Sequence, residues 1–164
     1  MRIWMPVAAC ILLAGCDYTV PLANLPVADP DPAVIGLWER TPGGSSTERL
    51  LVLPLNQKEY LVSFPAGSTN AMFARACIIR LAGKAAVQLT WIGTAQAGLP
   101  DDPRVYQFAT FTVDGNTLSV RLLNADLVNR DVTSPAELEK AIANAKDHPA
   151  LFRDAMVFHK VSGE

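Results

Sequence analysis

Residues 105–122 read Val-Tyr-Gln-Phe-Ala-Thr-Phe-Thr-Val-Asp-Gly-Asn-Thr-Leu-Ser-Val-Arg-Leu. Asp114-Gly115-Asn116, in the middle, is a hairpin signal, because Gly and Asn tolerate the positive φ of a tight turn. After it Leu118, Val120 and Leu122 fall on one side, and Thr117, Ser119 and Arg121 on the other. A period of two is the mark of a half-buried strand, whose successive side chains point to opposite faces. The stretch therefore predicts two antiparallel strands, Val105–Val113 and 117–122.

The same pattern runs backwards along the chain. Tyr60, Val62 and Phe64 share a face, as do Val87, Leu89 and Trp91. Further apolar runs cover 33–41, 50–53 and 72–81, and a last one covers 155–161. Pro42-Gly43-Gly44, Pro54, Pro65-Ala66-Gly67 and Ala82-Gly83 break the chain between them. About eight sequential strands with short connections favour an antiparallel meander. Eight strands can close into a barrel, which removes exposed edges. The expected fold class is thus mainly β, a barrel or a strongly bent sheet, in a single domain over residues 33–164. One helix is predicted over 135–146. Ser134-Pro135-Ala136-Glu137 is a capping box with proline at the first helical position. Leu138, Ala141, Ile142 and Ala145 then form one apolar stripe. This helix precedes the last strand and is expected to cover an open edge or cap one end.

Composition bounds the function. The chain has 164 residues, half of them apolar, and a formal net charge of −2. That is enough for one cored domain and too apolar for disorder. The absence of a basic block argues against nucleic acid as a partner.

Arg2 is the only charge in the first sixteen residues, and an apolar run follows it to Leu13. A positive start and a short apolar run read as a secretory signal. A membrane-spanning helix would need about 20 apolar residues. The run ends in Leu13-Ala14-Gly15-Cys16, which resembles the lipobox of bacterial lipoproteins. The resemblance implies that residues 1–15 are removed. Cys16 then carries a thioether-linked diacylglyceryl group and an N-acyl chain. The protein is accordingly expected in the bacterial cell envelope, lipid-anchored and facing the periplasm. In enteric bacteria an Asp after the lipid cysteine, here Asp17, favours the inner membrane. Residues 16–32 contain Pro21, Pro26, Pro30 and Pro32 and read as an extended, solvated tether. With Cys10 removed and Cys16 acylated, Cys77 is left without a disulfide partner.

Gly36-Leu37-Trp38 lies on the first predicted strand of the domain. It resembles the Gly-x-Trp signature of lipocalin-like barrels. In that family the tryptophan packs across one end of the barrel and has a later arginine as its partner, and the cavity holds a small apolar ligand. Arg121, on the seventh strand, is the candidate for that arginine. The family carries its helix after the last strand, whereas here the helix precedes it. A core aromatic is the plainer reading of Trp38, and the two readings are compatible.

Other reactive residues do not assemble by spacing. His148 and His159 are the only histidines, and neither has a metal-ligand neighbour pattern. Asp29, Asp31, Asp101 and Asp102 sit among prolines and glycines as solvated loop residues, and Cys77 reads as a buried, inert thiol. No nucleophile elbow, phosphate loop or dinucleotide fingerprint is present. The expectation is a non-enzymatic module with no catalytic residue, metal or cofactor apart from its covalent lipid. It is expected to bind a small apolar or lipid molecule between sheet and helix, on Trp38, Tyr60, Phe64 and Trp91. The alternative is an interaction module with a packed core, presenting a strand edge or the helix face to another envelope protein.

Overall fold

The computed structural model describes residues 17–22, 26–44, 46–98, 101 and 103–162. Eight strands form a closed antiparallel barrel in sequence order. They are β1 (Gly36–Arg40), β2 (Glu48–Pro54), β3 (Glu59–Phe64), β4 (Met72–Leu81), β5 (Lys84–Thr94), β6 (Tyr106–Asp114), β7 (Thr117–Leu122) and β8 (Met156–Lys160). The helix α1 (Pro135–Ala145) stands between β7 and β8. The 105–122 stretch forms the β6–β7 hairpin, with Asp114 opposite Thr117. β8 closes the barrel on β1 through Trp38 opposite Lys160 and Glu39 opposite His159.

Alternation sorts the side chains into two cores. The inward set includes Trp38, Val52, Tyr60, Ala76, Leu89, Ala109, Leu118 and Phe158. A second core lies outside the barrel, where Ile79, Leu81, Ala86 and Phe108 meet Leu123, Val128, Leu138, Ile142 and Leu151. β4, β5 and β6 are thus covered on both faces. The capping box forms as expected at one contact, since Glu137 N–H donates to Ser134 Oγ at 3.2 Å. The Glu137 carboxylate instead accepts from Thr133, at 2.8 Å from its backbone N–H. The helix covers neither an edge nor an end of the barrel. The closed sheet leaves no edge to cover, and the stripe Leu138–Ile142 is drawn to the outward apolar face of β4–β6.

Two parts of the proline-rich segment also differ from expectation. Pro32–Val34 is a 3-10 turn, capped by the Asp31 carboxylate on Ala33 N–H at 2.9 Å, so strand begins only at Gly36. Proline is accommodated there because it occupies the first helical position, where no N–H is needed. Residues 17–22 are not a solvated tether. Tyr18 is fully buried, its ring centroid 5.4 Å from that of Phe108. Its hydroxyl donates to Val128 O at 3.0 Å. Tyr18 N–H donates to Tyr106 O at 3.1 Å, and Tyr106 N–H returns a bond to Tyr18 O at 3.0 Å. Leu22 N–H donates to the Gln88 side-chain oxygen at 2.8 Å. The single aromatic ring decides the outcome, because the second core offers it an apolar slot with a carbonyl at the far end. Residues 1–16, including Leu13-Ala14-Gly15-Cys16, lie outside the described residues.

Truncating a buried aromatic costs about 3–5 kcal/mol. Tyr18→Ala is expected to lower the urea-unfolding free energy by about that much. A spacer residue would leave it unchanged.

Candidate functional site

The barrel interior is not filled. A cavity of about 460 Å³ lies inside it, within the usual range for small-molecule sites of about 300–1,000 Å³. An eight-stranded barrel is just wide enough for side chains to fill or for one small ligand. Alanine decides between these here. Ala76 on β4 and Ala109 on β6 face inward, buried and on the cavity wall, where larger residues would close the space. The wall is otherwise mostly aliphatic, with Val52, Val62, Leu89 and Val120.

One end is a floor. Trp38 is fully buried, and its indole N–H donates to Val34 O at 2.8 Å, tying it to the 3-10 turn below. Lys160 Nζ lies 5.1 Å from the centre of the Trp38 ring. Gly36 makes room for this lysine. Its φ is +140°, and a Cβ there would stand 3.1 Å from Lys160 Cε. The cation over Trp38 is therefore Lys160. Arg121 points outward, where its Nε donates to Arg153 O at 3.0 Å, because its position on β7 is out of phase with Leu118 and Val120.

The other end is a mouth. Arg40 and Glu48 meet there, Nε to carboxylate oxygen at 2.7 Å, both lining the cavity. The Arg40 guanidinium carbon sits 5.8 Å from the Phe64 ring centre and 5.1 Å from that of Phe158. Ser68 and Asn70 of the β3–β4 loop complete the rim.

The four residues singled out from sequence occupy different places. Tyr60, Phe64 and Trp91 line the cavity. Trp38 is the floor beneath it. The space lies inside the barrel and not between sheet and helix, because α1 is outside. Tyr60 bonds through its hydroxyl to the Asp31 backbone, at 3.3 Å from its carbonyl oxygen, and burial raises its pKa. Trp91 carries a buried indole N–H with no acceptor among the described residues. Arg40, Glu48 and the inward alanines were missed. Arg40 and Glu48 carry no local sequence signal that sets them apart from other charges near strand ends. The alanines left a signal, small residues at inward phase in Ala74-Arg75-Ala76 and at Ala109.

The other candidates are dispersed. Cys77 lies on the outward face of β4, and burial pushes its thiol pKa up, which disfavours the reactive thiolate. His148 accepts a turn hydrogen bond from Ala150 N–H at 3.1 Å, and His159 is exposed on β8. Asp29 pairs with Lys58. Asp101 is exposed, and Asp102 lies outside the described residues. Among the described residues no three His, Cys, Asp or Glu gather as a metal site, and no helix is long and apolar enough to cross a membrane. Comparison of the chain with protein-family models, with curated proteins and with solved structures returned no match.

Asp17 adjoins the site. It is buried, accepts a weak bond of 3.4 Å from the cavity-lining Gln107, and has its pKa raised, chiefly by desolvation. A carboxyl with a raised folded-state pKa binds more protons folded than unfolded. Stability is then lost as pH rises from the ordinary carboxyl pKa through the raised one. Asp17→Asn is therefore expected to raise Tm at pH 7 more than at pH 3. Equal shifts at the two pH values would contradict this assignment.

Proposed function

We propose that the protein is a membrane-anchored envelope lipoprotein whose barrel holds a small apolar or lipid ligand without catalysis. The observation that carries the ligand reading is the unfilled, mostly aliphatic cavity inside a closed barrel. A well-packed protein leaves few voids larger than a water molecule, so an interior of this size calls for an occupant. The distribution of polarity supports an amphiphile. The Arg40–Glu48 pair at the mouth suits a polar head, and the wall suits a tail. The Trp91 indole N–H, without an acceptor among the described residues, favours a ligand that carries an oxygen acceptor, since a buried unpaired donor costs about 1–3 kcal/mol. The lipobox at Leu13–Cys16 supports the anchor and the envelope location. The mouth's ion pair is internally neutral, so the recognition it offers is modest and the apolar wall supplies most of the affinity.

The test is titration with the neutral fluorophore N-phenyl-1-naphthylamine. Wild type is expected to bind it saturably, one per chain. Ala109→Phe and Val120→Phe, each checked for folding by circular dichroism, are expected to weaken binding about tenfold or more, corresponding to about 1.4 kcal/mol. Binding that does not saturate, or that both filled variants retain at wild-type strength, would overturn the reading.

A further inference from the structure

Strand polarity gives the barrel two chemically different ends. β1, β3, β5 and β7 finish, and β2, β4, β6 and β8 begin, at the rim that carries Arg40, Glu48, Phe64 and Met72. All four line the cavity, so this rim is the mouth. The opposite rim has the tight turns at Ala82-Gly83 and Gly115-Asn116 and the Trp38–Val34 floor.

The N-terminal segment attaches at the mouth. Asp17 N–H and Tyr18 N–H both donate to the carbonyl of Tyr106, the first residue of β6, at 3.0 and 3.1 Å. Strand β6 begins at the mouth. Its next residue, Gln107, lines the cavity and reaches the Asp17 carboxylate. The pinned residue is thus immediately adjacent in sequence to Cys16. A free spacer over residues 16–32 would extend about 55 Å, at about 3.3 Å per residue, and leave the barrel free to tumble above the membrane. An anchor one residue from a pinned backbone spans about 3.8 Å and leaves no such freedom.

We propose that the mouth of the barrel faces, and rests against, the leaflet that holds the acyl chains of Cys16. The ligand is then a bilayer-resident amphiphile that enters the cavity directly from the membrane. The inference rests on the acylation of Cys16 proposed above. The rim chemistry agrees with an interfacial position. Arg40 and Glu48 offer a polar pair at headgroup level, with Phe64 and Phe158 beside the guanidinium. Ile92, near the mouth end of β5, is half exposed and points outward, where an acyl boundary would cover it.

The experiment uses the full lipidated chain in phosphatidylethanolamine–phosphatidylglycerol vesicles containing a doxyl-labelled phospholipid. A bimane label is placed at Ser68→Cys on the mouth or Asn116→Cys on the closed end, each with Cys77→Ala. The expected result is quenching of the mouth label and an unquenched closed-end label. A flexible Gly-Ser linker inserted between Cys16 and Asp17 is expected to retain vesicle binding and to abolish the difference. Equal quenching at both ends of the unmodified chain, or stronger quenching at 116, would overturn the orientation while leaving the anchor intact. Absence of acyl mass on Cys16 would instead overturn the anchor, and the orientation with it. The two failures are read separately, one by fluorescence and one by mass.

Discussion

Closure of β8 onto β1 is the constraint on which the rest depends. The contact is short, two registered pairs, and one of them is Trp38 opposite Lys160. Trp38 thereby serves the seam and the floor together. Its ring fills the end of the barrel, its N–H holds the 3-10 turn, and the lysine that crosses it belongs to the closing strand. Gly36 has a φ of +140°, which L side chains rarely adopt, and a Cβ there would also press on the Lys160 side chain at 3.1 Å. Once the seam is closed, every strand has an inside and an outside, and each alternating set of side chains acquires a separate fate.

Those fates explain the two unusual features of the molecule. Inside, alanines on β4 and β6 leave the volume that bulkier residues would occupy, and the barrel is hollow. Outside, Ile79, Leu81, Ala86 and Phe108 make an apolar face that water would cover at a cost of about 25 cal/mol per Å². The 123–152 segment and Tyr18 cover it instead. The same need that places the helix outside the barrel also pins the N-terminal segment beside the mouth. Cavity and attachment point are consequently linked through Gln107 and Asp17, whose side chains meet at the rim.

Much of the fold was legible in the sequence because its rules are local. Period-two alternation in Leu118–Leu122, the turn at Asp114-Gly115-Asn116 and the Ser134 cap each depend on a few neighbouring residues, and each forms. Long-range consequences were harder to read. Ile78-Ile79 and Phe108-Ala109 place apolar side chains on both faces of their strands, which is the mark of a strand buried twice and points to an outer layer. No local signal distinguishes Tyr18 as a residue that docks, since its slot is built from Phe108 and Val128, far along the chain. The site was half legible. Aromatic residues could be assigned to the interior by phase, whereas an empty volume follows from the summed size of residues on several strands. Lys160 escaped notice because its partnership with Trp38 exists only across the closing seam.

The central claim is that the barrel is a container. Native mass spectrometry of the protein, gently purified from the cells that make it, tests this most directly. The account predicts mass beyond that of the denatured chain, lost on denaturation and identified as a single amphiphile. A spectrum with the covalent mass alone, from protein shown to be folded, would contradict it.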